Sequence, residues 1–140
     1  MSESFVRSFR EARRESLRAF NEGDFESAFA DLAPDVEWHL LPWLLETGVL
    51  KGRDAVVRYF AGVREGIDWH VESREFIDAG NRRVVVHQHG RGAGRTTQIA
   101  TREATVDFFQ IWEVGEDGLV VSVREFDDRA EALKAAGLSE

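Results

Sequence analysis

Gln110 and Glu125 are the side chains whose type and position could do acid–base chemistry in this chain. Each interrupts a run of bulky apolar residues: Phe108-Phe109-Gln110-Ile111-Trp112 and Val120-Val121-Ser122-Val123-Arg124-Glu125-Phe126. A sheet that buries one face needs a reason to point an amide or a carboxyl inward, because burying an unpaired polar group is costly. Desolvation raises the pKa of a buried glutamate, which suits a general acid or base working near neutrality. An amide can donate a hydrogen bond but cannot titrate. The structural alternative for Glu125 is an ion pair with an arginine such as Arg83 or Arg102 reaching across the strands.

His87 and His89 lie two apart on one strand and share a face with Val85 and Arg91. On the inner face they would donate protons or polarise a carbonyl; on the solvent face of an edge strand they would do neither. With His39 and Glu125 they could bind a metal, but a His-x-His pair is a weak ligand signature and no metal is expected. His70, beside Trp69, reads as a surface residue.

The elements that must position these groups follow from periodicity. Residues 105–128 predict an antiparallel hairpin of β-branched and aromatic strands around Gly115-Glu116-Asp117-Gly118. Alternation puts Phe108, Gln110, Trp112, Val121, Val123 and Glu125 inward, and Phe109, Ile111, Arg124 and Phe126 outward. Upstream, residues 4–22 form an amphipathic helix with Phe5, Phe9, Ala12, Leu17, Ala19 and Phe20 on its apolar side. Its charged run from Arg7 to Arg18 reads as a solvated face. Asp24 caps a short helix over 25–32, which Ala33-Pro34-Asp35 stops, and 36–39 is a first strand. The apolar segment 40–45, broken by Pro42, is expected at the mouth of a cavity. Asp54 caps a third helix that Gly66 ends, and 69–77 and 83–91 form a second hairpin. The glycines of 90–94 read as a flexible hairpin tip, since a phosphate cradle would precede a helix. Asp128 caps a closing helix over 129–136, with Glu131 completing a capping box.

At 140 residues and 43% hydrophobic content, the chain is long enough for one domain, 1–140, with a sizeable core. A net charge of −8 excludes nucleic acid and anionic membrane as expected partners. With no cysteine there is no thiolate nucleophile or disulfide, and a cytoplasmic location is expected. The first residues lack the apolar core of a signal peptide, and no run reaches the roughly 18 apolar residues of a spanning helix. Helices followed by antiparallel strands read as α+β, with helices laid across a curved sheet.

Several stretches together resemble one family. They are 19–25 (Ala-Phe-Asn-Glu-Gly-Asp-Phe), 32–39 (Leu-Ala-Pro-Asp-Val-Glu-Trp-His), 52–56 (Gly-Arg-Asp-Ala-Val), 76–80 (Phe-Ile-Asp-Ala-Gly), Arg124-Glu125-Phe126 and 128–133 (Asp-Arg-Ala-Glu-Ala-Leu). In this order, over nearly the whole chain, they resemble the SnoaL-like group of the nuclear transport factor 2-like superfamily. The resemblance implies a cone: a strongly bent antiparallel sheet wrapped by N-terminal helices around a mostly apolar pocket, often dimeric through the outer sheet face. Polyketide cyclases, ketosteroid isomerases, limonene epoxide hydrolases, dehydratases and non-catalytic binders share that fold, so function must come from pocket residues.

Gly118 supplies a register for that comparison. Seven residues on, where SnoaL-type cyclases and limonene epoxide hydrolases carry a catalytic Asp, stands Glu125. Eight residues back, where ketosteroid isomerases carry an oxyanion-binding acid, stands Gln110. The isomerase base aligns with Trp38 and its first-helix Tyr with Ser16, so activity of that type is rejected. The epoxide hydrolase's second acid and arginine correspond to strand 83–91, where this chain has no acid and His87 is the replacement at hand. The resemblance places Trp38 and Trp112 on the pocket wall; Phe20, Phe60, Phe108, Val123, His89 and Trp43 are further candidate pocket residues, the aromatic ones having core packing as their alternative. The resulting expectation is a small apolar molecule, carbonyl-bearing or cyclic, bound without a cofactor. Glu125 would transfer the proton, with Gln110 and His87 holding a developing oxyanion. The alternative is a non-catalytic binding or interaction module.

Overall fold

A computed structural model describes residues 2–41, 48–94 and 104–139. The elements are α1 (Ser2–Asn21), α2 (Phe25–Ala28), β1 (Leu32–His39), β2 (Val49–Lys51), α3 (Arg53–Gly66), β3 (Ile67–Gly80), β4 (Arg83–Gly94), β5 (Ala104–Val114), β6 (Val120–Phe126) and α4 (Arg129–Ala135). The six strands form one sheet in the order β2-β1-β6-β5-β4-β3. This is the expected α+β cone, with one departure from an all-antiparallel sheet. β1 runs parallel to β6, with Trp38 opposite Val123. Register breaks between Glu113 and Val114 and between Ser73 and Glu75 mark bulges that bend the strands and increase their twist.

The expected second helix over 25–32 is only one turn long. Asp24 caps it by accepting from Ser27 N at 3.3 Å, but Pro34 has no N–H to continue a helix and disfavours helical geometry at Ala33. Leu32 instead opens β1 opposite Val120, four residues before the expected strand start. α3 is capped by Gly52, not Asp54: the cap residue has φ 93, a conformation that favours glycine, and Asp54 falls in the first turn. Asp128 caps α4 as expected, accepting from Glu131 N at 2.9 Å.

The sheet separates two apolar clusters. The inner one gathers Phe9, Phe20, Phe29, Trp38, Val56, Val84, Val86, Phe108, Trp112 and Val123 beneath α1, α2 and α3. On the other face α4 and its C-cap residue lay Ala132, Leu133 and Ala136 against Val85, Phe109 and Ile111. The outward set of β5 is therefore covered in part by the chain's own last helix. Val121, expected inward, is instead 36% exposed, because the bulge after Glu113 gives the buried place opposite Val114 to Val120.

Residues 90–92 are not a hairpin tip. Gly90 and Gly92 belong to β4 and pair with Val71 and Trp69. A Cβ at Gly90 would lie 2.4 Å from the Trp69 ring, and one at Gly92 would lie 2.6 Å from it. The indole thus packs flat on bare backbone, which only glycine allows.

Candidate active site in the cone

Gln110 and Glu125 are direct partners across β5 and β6, both inward as strand alternation expects and both buried. Gln110 Nε2 donates to Glu125 Oε2 at 2.8 Å, and the Leu41 backbone N–H donates to Oε1 at 3.2 Å. Burial raises the Glu125 carboxyl from 4.5 to about 7; the hydrogen bonds from Gln110 and Leu41, and the nearby Trp38 indole, oppose that rise in part. Trp38 Nε1–H itself is buried without an acceptor in hydrogen-bonding geometry among the described residues. Tyr59 on α3 is within electrostatic reach, and its phenol is pushed up first by burial and then by the Glu125 charge.

No arginine pairs with Glu125 among the described residues. Arg83, one candidate partner, donates to the carbonyls of Ala79, Gly80 and Ala136. Arg102, the other, lies outside the described residues, as does Trp43.

A chain of side-chain hydrogen bonds leads to the carboxyl in one direction. Ser73 Oγ donates to Gln88 Oε1 at 2.6 Å, Gln88 Nε2 to Gln110 Oε1 at 2.9 Å, and Gln110 Nε2 to Glu125. Trp112 Nε1 also donates to Gln110 Oε1, at 2.8 Å. With both lone-pair directions of its oxygen occupied, the Gln110 amide is fixed with its nitrogen toward Glu125. Gln110 therefore orients the acid; this is a different task from holding a substrate oxyanion.

These groups line a half-enclosed cavity of about 60 Å³. Its walls include Phe20, Trp38, Phe60, Phe108 and Trp112, together with Gln110 and Glu125. Edge-to-face ring contacts set the aromatic wall, with Trp38 5.4 Å from Phe60 and 5.5 Å from Trp112 between centroids. Val123 is fully buried under this wall and does not reach the cavity.

His87 and His89 do not join the site. Their neighbour Gln88 takes the inward position on β4, so alternation turns both imidazoles to the other face. There His87 Nε2 and His89 Nδ1 meet the same Asp107 oxygen at 2.9 and 3.0 Å, and His87 stacks on Phe109. The two histidines hold the Asp107 carboxyl below its ordinary range, His89 more than His87. The sheet stands between these histidines and Glu125, which removes the metal set that would have joined them.

Arg13, counted with the solvated face of α1, is 5% exposed and part of the cavity wall. Its guanidinium carbon sits 4.5 Å from the Trp112 ring centroid and 5.2 Å from that of Phe9, and it forms an ion pair with Asp31. The signal was present in the sequence: Phe9, Arg13 and Leu17 recur every four residues and so share one stripe. Gln88 and Ser73 were also missed, whereas the contribution of Leu41, being backbone, leaves no trace in side-chain type.

Residues 14–123 match the SnoaL-like domain. Among solved structures, a protein of the nuclear transport factor 2-like class and unknown function from Burkholderia pseudomallei is 30% identical, over 89% of this chain and 94% of that one, with a TM-score of 0.69. An epoxide hydrolase/cyclase-like enzyme of pyran ring formation in the polyether salinomycin is similar in fold at 18% identity, over 92% and 95% of the two chains, with a TM-score of 0.72. So is a Mycobacterium tuberculosis protein in complex with estradiol-17β-hemisuccinate, at 18% identity, 81% and 88% coverage and a TM-score of 0.68. No protein of curated function matches the sequence significantly.

Proposed function

Because the chain belongs to the SnoaL-like domain family, we propose that its cone binds a small apolar molecule and that Glu125 moves a proton on it without a cofactor. The observation that carries this reading is a buried carboxyl on the wall of an aromatic cavity, unpaired with any described cation and poised at about 7. A carboxyl with that pKa is populated in both protonation states at neutral pH, which general acid–base catalysis requires. Gln110 positions it, and the Trp38 indole beside it favours its charged form. The reaction class is proton transfer on a cyclic or carbonyl compound, as in a cyclase, isomerase or hydrolase. The cyclase-like and steroid-complexed proteins of similar fold support that class.

A second reading, a non-catalytic binding module, is favoured by the size of the cavity, since about 60 Å³ is small beside the few hundred Å³ of most ligand sites. 5-Nitrobenzisoxazole separates the two readings, because this planar aromatic opens when a base removes its ring C–H proton. The catalytic reading expects turnover that rises with pH through an ionisation near 7 and disappears in Glu125→Gln. Equal rates in wild type and variant would leave only the binding module.

A further inference from the structure

The cavity does not end at the cone wall. Arg13, Leu17, Val71 and Ser73 line it and also line a surface groove of about 880 Å³ between α1 and β3. A ligand too large for the inner 60 Å³ can extend through this neck into the groove.

That groove is rich in arginine although the chain carries a net charge of −8: Arg10, Arg14 and Arg18 come from α1 and Arg74 from β3. The carboxylates along it are Glu22, Glu72 and Glu75. Arg74 holds Glu72 at 2.9 Å and Arg129 holds Glu75 at 2.8 Å, so two of the three are already neutralised. Arg18 is paired with Glu15 at 2.7 Å. Arg10 and Arg14 are exposed and in no ion pair among the described residues; Arg10 lies over the Phe76 ring at 5.4 Å. At the neck, Arg13 is 5% exposed, and its Nε–H is buried without an acceptor although its terminal nitrogen holds Asp31. A buried, unpartnered guanidinium donor where a cavity meets a cationic groove is a recognisable half of an anion contact.

We propose that the α1–β3 groove is the route into the cone and that its ligand is an amphiphilic carboxylate. The ring-bearing body would sit among Phe20, Trp38 and Trp112, with the carboxylate among Arg10, Arg13 and Arg14. The proposal rests on the reading of the cone as a small-molecule pocket and adds the charge class of what enters it.

A matched pair of probes tests the charge separately from the pocket: 4-phenylbutyrate and 4-phenylbutan-1-ol share an apolar body and differ in the head. Titration of the intact protein by calorimetry at pH 8 and low salt is expected to give about tenfold tighter binding of the acid, equivalent to one partly exposed charge contact. That ratio is expected to shrink as salt is added and to fall toward one in the Arg10→Gln/Arg14→Gln double variant, whose fold is checked by circular dichroism. Alcohol binding equal to or tighter than acid binding overturns the anionic class and leaves the pocket standing. So does a ratio that survives the double substitution. Binding of neither probe overturns both this proposal and the pocket reading beneath it.

Discussion

Replacing Glu125 by Gln should make the protein's stability less sensitive to pH. In the folded chain the carboxyl stays protonated up to about 7, whereas an unperturbed glutamate ionises at 4.5. Between those values the folded state binds more protons than the unfolded state, so stability falls as pH rises through that window. Below it both states are protonated, and above it both are ionised, so the penalty is absent at low pH and complete above about 7. A gap of about 2.5 pH units corresponds to about 3 kcal/mol, most of it developed between pH 5 and 8. Gln has nearly the same volume and no charge, so the variant lacks this term. Urea denaturation of both proteins at pH 5 and pH 8 isolates it, because other titrating groups such as Asp107, Glu72 and Glu75 contribute equally to both proteins and cancel in the difference. The variant's stability relative to wild type is expected to rise by about 2–3 kcal/mol from pH 5 to pH 8. A relative stability independent of pH would refute the buried, cation-free carboxyl on which the site is built.

Other substitutions test the surroundings. Gln110→Met removes the donor to Glu125 and the acceptor shared by Gln88 and Trp112, so it should cost about 2–4 kcal/mol in urea unfolding and push the Glu125 carboxyl still higher. Gly90→Ala drives a methyl into the Trp69 indole; a loss of about 1–3 kcal/mol with a shifted tryptophan emission is expected, and an unchanged melting profile would contradict the packing. Arg13→Met keeps an unbranched apolar chain at this position but removes the guanidinium from the Trp112 ring and leaves Asp31 without its cation. Since the Asp31 side chain is 34% exposed, water screens part of that loss, and thermal denaturation should register about 1–2 kcal/mol.

The order of elements and the inward facing of Gln110 and Glu125 were legible in the sequence because a strand's period of two sets each of them among bulky apolar residues. The bulge after Glu113 escaped that logic, since one extra residue reverses the facing of the residues after it and no residue type announces it; Val121 was misplaced for that reason. His87 and His89 shared a face with each other in any register, but parity alone does not say which face is the inner one. Gln88, the polar residue between them, was the one turned inward. The parallel pairing of β1 with β6 is a non-local contact with no local signature. Arg13 was legible only by its place in the Phe9–Leu17 stripe: by type, in a run of arginines and glutamates, the guanidinium laid over Phe9 and Trp112 looks like its solvated neighbours. The glycines of β4 were misread because their role depends on Trp69, a residue on another strand.

The pH titration of the Glu125 side-chain carboxyl, followed by 13C NMR with Glu125→Gln assigning the resonance, bears most directly on the central claim. A midpoint near 7 is the expected result. A midpoint near 4.5, the ordinary glutamate value, would mean that water reaches the carboxyl freely and that the cone holds no poised acid–base group.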